Sequence, residues 1–206
     1  PWEFQRRGYL YKVNFYGRSE PFTDEEGRTR FRWVDTQSVM AMASDIFIPG
    51  YDNGNVINMR LWAALSSQDF DLEDFNRGDY IGAMEAKVLS ENISKVLYPS
   101  DEVAQGRELR LKQQYFFVAA TFQDIMRRFG KDHSDFHDLP NMVAVQLNDT
   151  HPAISIPELM RLLLDDKGLG WDEAWDICVK TFAYTNHTVL PEALETWPVE
   201  TLGRIL

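Results

Sequence analysis

The sequence contains a single cysteine, Cys178, among 206 residues. An internal disulfide is therefore excluded, and a reducing compartment, by default the cytoplasm, is expected. Long apolar runs are missing too. The strongest, QYFFVAATF at 114–122, falls well short of the roughly 18 residues a membrane span needs and sits inside a longer amphipathic pattern. The opening PWEFQRRGYL has no apolar signal core. Basic residues are outnumbered, 21 against 32 acidic for a net charge of −11, and no run of Lys and Arg could follow a phosphate backbone. This balance argues against a nucleic-acid partner. There is no phosphate loop, no Gly-x-Ser-x-Gly elbow, no cysteine nucleophile in a recognisable setting and no internal repeat. Lys167-Gly168-Leu169-Gly170 lacks the third glycine of a dinucleotide fingerprint and follows a helical pattern, so it reads as a helix C-cap and turn. Classical covalent hydrolase chemistry finds no support.

What is present is core. Apolar residues make up 44% and aromatic residues 13%, enough for one large core or two small ones in a globular chain. Pro1 in place of an initiator methionine, with Trp2, Phe4 and Tyr9 close behind, suggests a fragment entered in mid-domain. Residues 9–65 read as a meander of antiparallel strands: YLYKVNFYG, FRWVDT and MAMASDIFIPG are rich in aromatic and β-branched residues and are separated by DEEGR and PGYDNGN. The acidic stretch FDLEDFNRGDY reads as a loop. Residues 80–97 place Ile81, Met84, Val88, Ile93 and Leu97 near helical spacing. Tyr98-Pro99 breaks that helix, and Ser100 or Asp101 caps a longer one over about 102–129, with Asp101 and Glu102 at its positive end and Arg127 and Arg128 at its negative end.

The last third alternates strand and helix. Residues 142–147 form a short apolar strand of the kind buried on both faces of a parallel sheet. Ser155-Ile156-Pro157-Glu158 has capping-box spacing and opens the helix PELMRLLLDD. WDEAWDICVKT is a further helix, FAYT at 182–185 a second strand, and Pro191-Glu192 the start of another helix. Right-handed crossovers lay two such strands parallel, with both following loops at one carboxyl edge, where open α/β sheets bind ligands. His151 and His187 are therefore expected to line one crevice.

Each candidate has a plainer alternative. Pro152 disfavours a helical His151, so Asp149 and His151 in an extended segment would project together, able to orient hydroxyls, hold a metal or relay a proton. Alternatively, Asp149 satisfies turn amides and His151 caps a neighbour. Asn186-His187-Thr188 gains weight only from its placement, being otherwise ordinary turn chemistry. His133 and His137, four apart beside Asp135 and Asp138, have helical metal-ligand spacing but lie in a polar connector at 130–141 with no helix signal and no third strong ligand. A solvated loop is the better reading, and no metal site is expected.

Four long motifs in order, WVDTQSVMAMASDIFIPGY, ENISKVLYPSDEVAQGRELRLKQQYFFVAATFQDIMRRF, VAVQLNDTHPAISIPELMRLL and AYTNHTVLPEALETWPVE, resemble the glycogen (α-glucan) phosphorylase family over essentially the whole chain. The resemblance implies that residues 1–206 are part of the N-terminal Rossmann-like domain of a B-type glycosyltransferase fold, an α/β architecture with antiparallel strands at its start. It implies phosphorolysis of terminal α-1,4-linked glucosyl units by inorganic phosphate. Asp149 and His151 would hold the sugar, as would His187 and Thr188, with the backbone carbonyl of His187 near the anomeric carbon. Tyr98, Ser100, Asp101 and Gly106 match the family's gate loop, with Asp101 in the phosphate region and Glu102 at a sugar contact. Animal members have asparagines flanking the gate aspartate, where this chain has Ser100 and Glu102. The helix at 80–97 resembles the one through which family dimers meet. Arg127 and Arg128 match part of a nucleotide-effector site, although the shorter connector argues against AMP control. The pyridoxal phosphate of the family is held by a lysine outside these residues, so the segment alone is expected to be inactive. Two other readings compete with this one. A stand-alone carbohydrate-binding or dimerisation module predicts no catalysis, and a metal hydrolase built on Asp149 and His151 predicts activity lost to a chelator.

Overall fold

The computed structural model describes residues 2–67, 80–96, 99, 103–191 and 194–206. Tyr98, Ser100, Asp101 and Glu102 of the expected gate lie outside the described residues, as does nearly all of the acidic stretch at 70–80. Two compact units are formed, Pro1–Asn14 with Ser38–Phe116, and Phe15–Gln37 with Phe117–Leu206. Both mix strands and helices, giving an α/β chain with antiparallel strands at its start.

Five strands come first: β1 (Phe4–Phe15), β2 (Arg18–Thr23), β3 (Thr29–Val34), β4 (Gln37–Pro49) and β5 (Val56–Ser66). They do not form the simple meander expected. β4 is the centre of a three-stranded sheet between β1 and β5, while β2 and β3 form their own antiparallel hairpin. Local backbone explains the departure. Tyr16, Gly17 and Asp35 have φ of 60°, 81° and 56°, so the chain turns sharply out of β1 and sharply back into β4. A Cβ at Gly17 would lie 2.2 Å from the Val34 carbonyl oxygen, so only glycine fits there.

In the first unit the strand period of two buries one face. Tyr11 and Val13 of β1, Val39, Ala41 and Ala43 of β4, and Trp62 and Ala64 of β5 all point inward. The rings of Tyr11 and Trp62 meet edge to face at 5.5 Å. The three strands are also tied by charge. Asp45 is fully buried and stands opposite Arg60, whose Nε and Nη2 donate to its two oxygens at 2.6 and 2.8 Å. Arg6 Nε donates to Asp45 Oδ2 at 2.8 Å. The two guanidiniums, Arg60 foremost, hold the Asp45 carboxyl down at about 2.

Helix α1 (Tyr80–Lys95) packs on β5, burying Ile93 and receiving the Ala64 N–H on Ser94 Oγ at 2.9 Å. Val88, expected on the apolar face, is instead more than half exposed. Helix α2 (Ala104–Phe129) contains Gly106 in its first turn. It buries Leu111, Tyr115 and Phe116 in the first unit, then Val118, Phe122, Met126 and Phe129 in the second.

The second unit has its own core, where those last four residues meet Leu139, Leu159, Leu163, Ala174, Ile177 and Cys178. Burial also pushes the Cys178 thiol up to about 11, which leaves it an inert core residue. The connector is more structured than its polarity suggests. A 3-10 turn at Phe136–Asp138 leads into the short helix α3 (Leu139–Met142), so the following strand, β6 (Val145–Asn148), begins later than expected. Only Leu147 of β6 is buried, because among the described strands β6 has one neighbour rather than two.

That neighbour is β7 (Phe182–Thr185), and the pairing is parallel, as the strand and helix alternation predicts. Helix α4 (Ser155–Arg161), extended by a wider turn at Leu162–Asp166, and α5 (Trp171–Thr181) make the crossover. The capping box expected at Ser155 does not form. Ser155 already lies inside the helix, and Glu158 pairs with Arg161 at 2.9 Å instead of reaching back. The equivalent contact occurs at α5, where Glu173 accepts the Gly170 N–H at 2.7 Å. Gly168, with φ 72°, ends the preceding helix as its sequence suggests. The exposed carbonyls there are taken by Arg30 of β3, whose guanidinium donates to Leu164, Gly168 and Leu169 at 3.3, 2.5 and 3.1 Å. Glu192 lies outside the described residues; the next described helix after Pro191 is α6 (Val199–Ile205).

Candidate functional site

The parallel ladder runs from Val145 opposite Phe182 to Asn148 opposite Thr185, and both chains then leave the sheet at the same edge. Asp149 donates its N–H to the Thr185 carbonyl at 2.8 Å, extending the pairing by one hydrogen bond. Gln146 Nε2 adds a side-chain link to Thr185 Oγ1 at 2.5 Å. The two polar loops are thus held together from below.

Asp149 does not lie in an extended segment. Its φ is 65°, and a run of turns follows from the Ala153 N–H to the Thr150 carbonyl and the Ser155 N–H to the Pro152 carbonyl, each 2.9 Å. A left-handed turn, which aspartate tolerates better than most residues, replaces the expected same-side projection of Asp149 and His151. The carboxylate faces the other loop. Its Oδ1 accepts the Thr150 N–H at 2.8 Å and its Oδ2 accepts the Thr188 hydroxyl at 2.7 Å. Asp149 is buried, and the Thr188 hydroxyl, then the Thr150 amide, hold its carboxyl below the usual range, with His151 and His187 adding smaller attractions. The plainer reading, an aspartate satisfying turn amides, accounts for only one of its two contacts.

His187 is exposed, and its Nε2 lies 3.1 Å from Asn148 Oδ1. Thr188 is oriented from behind by its own N–H, which donates to Asn186 Oδ1 at 2.8 Å. His151 stands 4.0 Å from Glu195, a residue that sequence reasoning passed over. Glu195 lies within AYTNHTVLPEALETWPVE, but no spacing rule links it to a histidine 44 positions earlier. Two acids, two imidazoles, two hydroxyls and two carboxamides can hold a polyhydroxylated ligand by many directional hydrogen bonds.

The other candidates stay apart. His133 stacks on Phe129 at 4.6 Å, whereas His137 Nδ1 lies 2.6 Å from Asp135 Oδ1 and its Nε2 lies 3.5 Å from Glu173. Among the described residues no group of three His, Cys, Asp or Glu side chains could hold a metal ion. Arg127 and Arg128 are drawn to the buried Asp124, at 2.8 and 3.8 Å.

The family described as carbohydrate phosphorylase matches residues 1–206. The chain is 53% identical to glycogen phosphorylase 2 of Dictyostelium discoideum over 209 residues, which covers all of this chain and 21% of that protein. Identity is 53% over 206 residues to a glycogen phosphorylase of Chlamydia pneumoniae, and 54% over 214 residues to the brain form of human glycogen phosphorylase. Each of these covers all of this chain and 25% of the relative. The chain therefore spans about a fifth to a quarter of the length of the curated relatives it matches. With all of its residues inside the family match, the chain belongs to the carbohydrate phosphorylase family.

Proposed function

We propose that these residues are part of the N-terminal Rossmann-like domain of an α-1,4-glucan phosphorylase with the B-type glycosyltransferase arrangement. The enzyme would transfer a terminal glucosyl unit to inorganic phosphate and release glucose 1-phosphate. The observation that carries this reading is the joining of the loops after β6 and β7 through Asp149 and Thr188. Identity above one half to glycogen phosphorylases supports it.

In this reading, Asp149 remains a carboxylate and accepts from sugar hydroxyls or the water between them. His151 and His187 orient further hydroxyls. The His187 backbone carbonyl would sit near the anomeric carbon, where a fixed dipole stabilises developing positive charge without reorganising. Asp101 and Glu102, in the gate of Tyr98, Ser100 and Gly106, would admit glucan and phosphate. The tract at Tyr80–Lys95 would serve a homodimer, and the protein would be cytoplasmic. Arg127 and Arg128 mark the place of an effector. Their engagement by Asp124 favours a protein without AMP control.

The described residues around Asp149 do not fit pyridoxal phosphate. None of Asn148, Asp149, Thr150, His151, Asn186, His187, Thr188 and Glu195 offers an amine for its aldehyde or a permanent cation for its phosphate. That cofactor belongs, in this reading, to a lysine outside the 206 residues. The test is phosphate-dependent release of glucose 1-phosphate by the full-length protein supplied with maltodextrin, with a large loss in His187→Ala. Glucan binding without any phosphorolysis would instead identify a carbohydrate-binding module.

A further inference from the structure

Asn148 closes β6 and stands opposite Thr185 in the parallel register, two residues before His187. This placement brings its Oδ1 to 3.1 Å from His187 Nε2. A carboxamide oxygen only accepts, and a neutral imidazole has one protonated nitrogen and one lone pair. We infer that Asn148 is a positioning residue that holds His187 as its Nε2–H tautomer, leaving Nδ1 as a hydrogen-bond acceptor toward the ligand. The tautomer is independent of the ligand's identity. That the acceptor meets a glucosyl hydroxyl rests on the function proposed above.

The surrounding chemistry explains why an amide stands at this position. Asp149 is the nearest rival acceptor in sequence, but both of its oxygens already receive donors, from Thr150 and Thr188. The other ionisable groups among the described residues of the two loops, His151 and Glu195, face each other at 4.0 Å. Elsewhere in the same unit His137 has a carboxylate partner, Asp135, which raises its affinity for a second proton. An amide fixes the ring as a carboxylate does but brings no negative charge, so it orients the imidazole without favouring the imidazolium. A tautomer held in this way meets a ligand hydroxyl with the lone pair already in place, and none of the binding free energy is used to shift the proton.

The test uses the full-length protein labelled with 15N-histidine, read by solid-state NMR, with the His187 signals assigned by their loss in His187→Gln. For the neutral ring the expected spectrum has Nε2 protonated and Nδ1 bare. Asn148→Ala should give mixed tautomers and lower kcat/KM by about three- to tenfold, the size of one neutral hydrogen bond. Asn148→Asp should instead move the acid limb of the pH profile to higher pH, because a carboxylate stabilises the imidazolium. A protonated Nδ1 in the neutral ring of the unaltered protein overturns the inference. So does an unchanged tautomer in Asn148→Ala, or equal losses in both variants at every pH. Should Asn148→Ala fail to fold, the unaltered spectrum and Asn148→Asp still decide. A protein that never releases glucose 1-phosphate yet shows the expected tautomers refutes the proposed function and leaves the role of Asn148 standing.

Discussion

The Thr188 hydroxyl donates to Asp149 Oδ2 at 2.7 Å, joining two loops 39 positions apart in the chain. Together with the contact of Asn148 and His187, it closes the carboxyl edge of the β6 and β7 pair. It is also the foremost reason that the Asp149 carboxyl lies below its ordinary range.

Removing that hydroxyl should therefore raise the Asp149 pKa. In Thr188→Val the Asp149 carboxyl signal, followed by 13C NMR in the full-length protein, should titrate at higher pH than in the parent, since the carboxylate is lost earlier as pH falls. The sign for stability is the same: a depressed carboxyl contributes above its unfolded value and loses that contribution as pH falls through the folded one. A variant carboxyl that titrates with the parent's would disprove Thr188 as the leading cause of the lowered Asp149 pKa.

Asp45→Asn should destabilise the protein by about 3 kcal/mol, the lower end for breaking a buried ion pair, because Arg6 and Arg60 are partly exposed and can rehydrate. In the parent protein this contribution is present above the ordinary carboxyl value of 3.8 and fades as pH falls toward about 2. Urea titrations at pH 7 and pH 3 measure both effects. The difference between parent and variant should be smaller at the lower pH.

Gly17→Ala places a Cβ against the Val34 carbonyl at a residue with φ of 81°. A strained left-handed residue costs about 1–3 kcal/mol, and here the obstacle is backbone that cannot swing aside. A clear fall in Tm is expected. Gly27→Ala is the control: its φ is similarly positive, but nothing lies within 4 Å of the added Cβ, so its loss should be smaller.

His137 carries a raised pKa, chiefly from Asp135, with Glu173 adding to it. A raised imidazole contributes fully below its unfolded value of 6.5 and loses that contribution as pH rises through the folded value. Tm measured across this range should therefore fall with rising pH in the parent relative to His137→Gln. Parallel curves for the two proteins would count against the bridge from Asp135 to Glu173.

The sequence made legible what depends on local period and on chain order. FAYT and WDEAWDICVKT are a strand and a helix over the residues expected, and the parallel pairing that joins Asp149 to Thr188 followed from handedness alone. Distant or backbone-level causes were hidden. The separate β2 and β3 hairpin depends on three residues with positive φ in two separate turns, only one of them a glycine, and Tyr16 gives no sequence signal for such a turn. The missing box at Ser155 reflects a competition that spacing cannot weigh, in which Arg161 captures Glu158. Glu195 reaches His151 only because the loop after β7 folds back, a matter of tertiary path rather than motif.

The register of β6 on β7 doubles as an address for chemistry. Each strand is four residues long, and Asn148 and Thr185 are the final rung. Inserting one residue between Val145 and Leu147 would carry Asp149 about 3.3 Å along the strand and turn it to the opposite face, out of reach of Thr188. The composition of both loops would be untouched and every proposed contact residue would still be present. Evolution can vary this edge by substitution far more readily than by a change in strand length.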